Sequence, residues 1–172
     1  GEVLVNFTNN LRGKVPGLEA LQIARANLQL LKQKRAKDYQ KGMKDINKDP
    51  TELSFTKVDE ALIKAQEAVK PKGIILDAKA QGILKKINKI VTEFKKSKNT
   101  ANRTASGFDD MKQKIWNEIS KIDRQKHPNA ARILDDVYHQ TKATIVEQAP
   151  NYANVMKEYT EASELLNQIQ KT

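Results

Sequence analysis

Cysteine is absent from this chain, and proline, glycine and aromatic residues are scarce. The 172 residues include five prolines and seven glycines, and aromatic side chains make up 5%. Without cysteine the chain has no disulfide bond and no thiolate metal site. No apolar run approaches the roughly 20 residues that a membrane-spanning helix needs, and no signal peptide is visible. The sequence therefore predicts a protein without a disulfide framework or a membrane span.

Charged residues are abundant by contrast. They make up 30% of the chain, and 31 Lys and Arg against 21 Asp and Glu give a net charge of +10. Such a basic balance favours association with a polyanion and increases solubility. Lys, Glu, Ala, Leu, Ile and Gln dominate the remaining composition, which is typical of a helical protein.

Apolar residues recur every three or four positions along most of the chain, which predicts an all-α fold. The predicted helices cover about residues 16–46, 56–69, 77–94, 108–122, 130–145 and 152–169. Prolines and short polar breaks separate them, and short connections favour antiparallel neighbours. The prediction is an elongated bundle of about six helices with hairpin connections.

Several local signals refine this prediction. Asp77 is placed to cap the third helix, and Asp59 is placed to form a weak capping box with Thr56. The polar segment 95–107 is predicted to be a loop. Residues 52–55 and 72–76 are β-prone and predict at most one tiny two-stranded ribbon.

The ends of the chain give further signals. Val3, Val5 and Phe7 alternate with polar residues, which predicts a short strand or an ordered lead-in, and Pro16 suits a first helical turn. The chain opens with Gly1 rather than Met. We therefore expect residues 1–172 to be a single helical domain or a fragment of a larger chain. The charge distribution suggests a subdivision into a basic part, 1–104, and a three-helix part, 105–172.

Two tyrosines near a helix break raise the question of an active site. Tyr152 and Tyr159 follow Pro150 and lie seven residues apart, so they share one face of the sixth helix. Their stripe continues through apolar positions to Ile169. We interpret both rings as core packing between the fifth and sixth helices, with hydroxyls that reach the rim.

The sequence offers little support for catalysis. Its two histidines, His127 and His139, lack enough partners for a zinc site, although Asp135 shares a helix face with His139. Adjacent Asp109 and Asp110 do not converge as a catalytic dyad, and we expect them to offset a helix dipole. Phosphate-binding loops and nucleophile elbows are missing. No catalytic residue, metal site or cofactor is predicted, and the protein is not expected to be an enzyme.

Positive charge is concentrated in two segments of the chain. Residues 25–48 hold eight basic side chains against two acidic ones, and residues 85–103 hold seven against one. Five lysines in the first segment recur at helical spacing, and we call them the basic ridge: Lys34, Lys37, Lys41, Lys44 and Lys48. Three interpretations stay open for this ridge: a solvated helix face, a surface for the phosphate backbone of DNA, and a surface for an acidic protein. No aromatic residue shares the helix face of the lysines, since Tyr39 belongs to the apolar stripe on the opposite face, which argues against base stacking.

Four stretches of the chain resemble large helical proteins of tailed bacteriophages and prophages, including internal virion and DNA-ejection proteins. The stretches are SFTKVDEAL (54–62), KGIILD (72–77), GFDDMKQKIWNEI (107–119) and QAPNYANVMKEYTEASELL (148–166). The last contains the pattern A-P-x-Y-A-x-x-M-x-x-Y-x-x-A, formed by Ala149, Pro150, Tyr152, Ala153, Met156, Tyr159 and Ala162. The resemblance supplies no catalytic residues.

The resemblance implies a non-enzymatic structural or assembly segment of a phage particle near packaged DNA. Other virion or scaffold proteins would be its partners, with non-specific DNA contact, and its location would be the virion or the host cytoplasm. The alternatives are a basic helical module that binds nucleic acid and a cellular helical scaffold domain that binds a protein partner.

Overall fold

The protein is an all-α helical bundle. The computed structural model describes the backbone of residues 17–171 and the side chains of residues 17–168. Within these residues 84% are helical, six α-helices form and no β-strand is present. The helices are α1 (Gly17–Lys48), α2 (Thr56–Val69), α3 (Ala78–Lys96), α4 (Ala105–Ile119), α5 (Pro128–Gln148) and α6 (Pro150–Lys171). The predicted fold class is confirmed, whereas the expected strand at residues 2–7 and the role of Pro16 lie outside the described residues.

Helix starts follow from local chemistry in three cases. The carboxylate of Asp77 accepts a hydrogen bond from the backbone N–H of Ala80 at 3.0 Å, which confirms it as the cap of α3. Helices α5 and α6 begin at Pro128 and Pro150, where a missing N–H removes no helical hydrogen bond. The predicted capping box of α2 is wrong, because Asp59 instead accepts two hydrogen bonds from Lys95.

Helix α4 begins three residues earlier than its apolar stripe predicts. Segment 95–107 is a loop only in part, since it holds a 3₁₀ helix at Thr100–Arg103 and the first turn of α4. The Thr104 hydroxyl donates to the carbonyl of Ala101 and accepts from the N–H of Gly107. A side chain at Gly107 would overlap the backbone carbonyl of Asn102, so this close approach requires glycine.

The predicted ribbon between residues 52–55 and 72–76 does not form. Glu52 instead forms an isolated antiparallel bridge with Thr104, and the N–H of Leu53 donates to the carbonyl of Arg103 at 2.7 Å. The extended backbone of Thr104, the cap of α4, provides the edge on which this bridge forms. Residues 72–76, the other half of the predicted ribbon, are exposed.

The helices belong to two compact units. The larger unit, Met43–Ala153, contains α2 to α5 with the last turns of α1 and the first turn of α6. In it α5 packs against α2 and α4, and α3 packs against α2 and α4. Its largest fully buried side chains come from all four helices and from α6: Val58, Val69, Leu84, Ile87, Phe108, Met111, Ile115, Ile119, Leu134, Val137, Ile145 and Tyr152.

The smaller unit pairs residues 17–42 with residues 154–171. Tyr39 contacts Tyr159 with ring centroids 5.1 Å apart, and Arg35 donates to the hydroxyl of Ser163 at 3.2 Å. Because a step of four towards the start of α1 matches a step of four towards the end of α6, these two helix segments are antiparallel. The boundaries of the two units do not coincide with the suggested subdivision at residue 104.

Candidate polyanion-binding surface

The five lysines of the basic ridge all lie on α1 and are exposed. Three of them belong to the smaller unit and two to the larger: Lys34, Lys37 and Lys41, then Lys44 and Lys48. Among the described residues none of the five forms a salt bridge. No carboxylate of the described residues therefore neutralises their ammonium groups.

Helical spacing separates the basic ridge from the packed side of α1. Lys34, Lys37 and Lys41 are three or four residues apart and so lie above one another on one face. Tyr39 points to the other side, where its ring meets Tyr159 of α6. The last turns of α1 repeat the pattern, with Lys44 and Lys48 exposed.

A second group of exposed lysines lies on and just after α3 in the larger unit. Segment 85–103 contains seven basic residues, and two of them form ion pairs that neutralise their charge. Lys95 binds Asp59, and Arg103 binds Glu52. The other five are exposed and form no salt bridge within the described part of the chain: Lys85, Lys86, Lys89, Lys96 and Lys98. These five lysines form a second surface with as many exposed positive charges as the basic ridge.

Neither lysine group includes an aromatic partner. The cation–π contacts of the described residues use other cations: Arg35, Lys95, Lys112, Lys114 and Arg124. Flat stacking of nucleic-acid bases needs exposed rings beside the positive charge. Without such rings the ridge is suited to contacts with phosphate groups, and these contacts position a duplex without reading its sequence.

A buried polar cluster around Tyr152 was not predicted from the sequence. The Tyr152 ring is fully buried, and its hydroxyl donates to Asp109 at 2.8 Å while accepting from Lys112 at 2.7 Å. Lys112 also lies 3.1 Å from the Asp109 carboxylate, and Gln113 donates to the second carboxylate oxygen. The one available sequence signal is that a buried tyrosine hydroxyl needs a polar partner.

The cluster corrects the expectation for the adjacent aspartates. Asp109 is buried and lies in the second turn of α4, because the helix begins at Ala105 rather than near Phe108. It binds side chains instead of offsetting the helix dipole. Partial burial and the neighbouring Asp109 charge raise the pKa of Asp110, and the attraction of Lys114 opposes this shift.

The interpretation of Tyr159 as a buried residue between α5 and α6 is wrong. Its side chain is 37% exposed, and its ring contacts Tyr39 and the guanidinium of Arg35, both on α1. The two tyrosines of one predicted stripe thus pack in different units, because α6 continues from the larger unit into the smaller one.

Two further side-chain contacts of the larger unit involve a carboxylate, and the first of them lines a groove. Arg124 binds both carboxylate oxygens of Asp135 at 2.7 Å, which raises the pKa of the guanidinium, and His127 lies 3.3 Å from Asp77. The groove has a volume of about 780 Å³ and lies between α2 and the first half of α5, with His139 at its edge.

Across the described residues no group of three or more His, Asp or Glu side chains could hold a metal ion. Likewise, no helix of residues 17–171 is long and apolar enough to cross a membrane.

Comparisons with protein-family models, with curated proteins and with solved structures find no match to this chain.

Proposed function

We propose that this chain is a non-enzymatic structural or assembly segment of a bacteriophage particle that contacts the phosphate backbone of DNA. The observation that carries the DNA contact is the exposure of all five ridge lysines without an ion pair among the described residues. The assignment to a phage particle rests on the resemblance of segments 54–62, 72–77, 107–119 and 148–166.

The chemistry of the ridge suits contact with the phosphate groups of DNA rather than with its bases. A lysine ammonium is a compact point charge that binds phosphate oxygens without a fixed geometry. Neutralising phosphates releases condensed counterions, so binding is sequence-independent and depends steeply on salt. A net charge of +10 adds long-range attraction to the same partner.

A fluorescence anisotropy titration with a labelled random duplex tests the DNA contact. If four ridge lysines contact phosphates, log K should fall with log salt at a slope of about −3.6 between about 50 and 200 mM salt. Reversing Lys34, Lys37, Lys41 and Lys44 to Glu should abolish this binding. The same reversal on α3, at Lys85, Lys86, Lys89 and Lys96, is the matched control because it changes the net charge equally.

The control separates ridge contacts from general attraction. Equal weakening by both quadruple variants would show that only net charge matters and would contradict a site on α1. Wild-type protein that does not bind DNA at tens of micromolar would leave an acidic protein partner or a solvated face as the role of the ridge. Circular dichroism of each variant verifies that the helices persist.

Genomic context tests the assignment to a phage particle. Genes for portal, capsid or tail proteins beside the gene for this chain would support the assignment. A neighbourhood of cellular genes only would favour a cellular scaffold domain instead.

A further inference from the structure

Three consecutive large aliphatic side chains are exposed in the connection between α2 and α3. Ile74, Ile75 and Leu76 are exposed by 68%, 47% and 70%, respectively. We call residues 74–76 the apolar tip. Other large apolar residues exposed in the same unit, such as Ile63 and Trp116, are not part of a consecutive run. Single exposed apolar residues are ordinary, whereas a contiguous group marks an interaction surface.

The backbone around the apolar tip is held in a defined turn. Lys72 and Gly73 adopt positive φ angles of 53° and 85°, which reverse the chain after Pro71. The N–H groups of Gly73, Ile74 and Leu76 donate to backbone carbonyls of the same turn at 3.3, 3.1 and 2.9 Å. These N–H groups can therefore enter a medium of low dielectric constant without losing a hydrogen-bond partner.

Lysines frame the apolar tip on both sides. Lys70, Lys72 and Lys79 are exposed, and no salt bridge to them occurs within the described residues. The one acidic residue between Lys70 and Lys79 is Asp77, which already caps α3 and pairs with His127. Lys126 adds a fourth exposed cation beside a cavity of about 240 Å³ that Leu76 also lines. The surroundings of the tip are thus strongly cationic.

We propose that residues 70–79 anchor this protein to an anionic lipid surface. The three aliphatic side chains enter the boundary between headgroups and acyl chains, and the lysines bind the lipid phosphates. A lipid surface suits this tip better than a protein groove does, because it accepts any protruding apolar group and supplies negative charge all around it. Each lysine near an anionic membrane strengthens binding about fivefold. Because only three aliphatic side chains enter the lipid, the association remains weak and reversible.

This proposal is independent of the DNA contact, because the tip and the basic ridge are different surfaces. Co-sedimentation with vesicles of phosphatidylglycerol and phosphatidylcholine, compared with pure phosphatidylcholine, measures the partition. The triple variant Ile74→Asn, Ile75→Asn, Leu76→Asn keeps the net charge of +10, so adsorption driven by charge alone persists. We expect it to partition into anionic vesicles at least about tenfold more weakly than wild type.

Matched controls isolate the tip from the rest of the surface. Ile63→Asn changes an isoleucine that is 59% exposed on α2 and should leave the partition unchanged. Replacing Lys70, Lys72 and Lys79 by Gln should weaken partition about a hundredfold. The same replacement at Lys85, Lys86 and Lys89 removes equal charge from α3 and should have a much smaller effect.

The absence of cysteine allows a direct test of insertion. Ile75→Cys and Ile63→Cys each create a unique thiol for a fluorophore whose emission shifts to the blue in an apolar medium. We expect a blue shift on adding anionic vesicles only for the probe at residue 75. Unchanged emission at residue 75, equal partition of the asparagine variant and wild type, or no wild-type binding to anionic vesicles would overturn the proposal.

Discussion

At the scale of single residues, the buried hydroxyl of Tyr152 joins α6 to α4. Tyr152→Phe removes one charge-assisted hydrogen bond to the buried Asp109 and one acceptor for Lys112. We expect a loss of about 1.5–3 kcal/mol in the free energy of unfolding measured with urea. Tyr159→Phe is the control, since that side chain is 37% exposed, and it should change stability by no more than about 0.5 kcal/mol. Equal effects of the two variants would contradict the cluster.

A second effect at the residue scale concerns Asp110 and pH. Its pKa is raised above 3.8 by burial and by Asp109, so the folded state holds the proton more tightly than the unfolded state. Stability gained by protonation is therefore present below about pH 3.8 and is lost as the pH rises through the folded-state pKa. Asp110→Asn should increase the free energy of unfolding at pH 7. The gain should shrink near pH 3 in urea titrations, and a gain that is independent of pH would contradict this account.

At the scale of elements, the start of α4 depends on one glycine. Gly107→Ala would place a methyl group against the Asn102 carbonyl, and we expect it to destabilise the protein by about 1–3 kcal/mol. Gly82→Ala on α3 is the control, because a Cβ there meets no atom within 4 Å. That replacement should stabilise the protein by about 0.5–1 kcal/mol, since alanine favours a helix over glycine. Urea unfolding of both variants measures the difference, and a loss of stability in Gly82→Ala would be inconsistent with it.

The same elements show how far the sequence could predict the fold. Periodic apolar positions and prolines located all six helices, and Asp77 was identified as a cap because capping is local chemistry. The bridge between Glu52 and Thr104 could not be predicted, because it depends on how distant segments meet in space. For the same reason the partners of Tyr152 and Tyr159 were missed, although their helix was correct. Solvent exposure of the basic ridge agrees with its spacing, while its function stays a prediction.

At the scale of the whole molecule, buried apolar side chains are distributed unevenly between the two units. Leu166 is the one buried apolar residue within the described side chains of 17–42 and 154–168, whereas Met43–Ala153 holds all the others. The contacts of the smaller unit instead include half-exposed polar and aromatic groups, such as Arg35 with Ser163 and Tyr39 with Tyr159. Burial of apolar area is the main favourable term in folding. The two units should therefore differ in the free energy of local opening.

Hydrogen exchange measures that difference directly. A protein exchanges its amide protons when the structure around them opens. The free energy of this local opening ranges from near zero to the global free energy of unfolding, and regions with few buried apolar contacts lie at the low end. We expect peptides from residues 17–42 and 154–171 to exchange faster than peptides from α2 to α5, in mass spectrometry at neutral pH. The buried segments around Leu84, Ile115 and Leu134 should show the slowest exchange, because their side chains have no exposed surface. Equal protection of both units would mean that the smaller one gains stability from contacts beyond its own two helices.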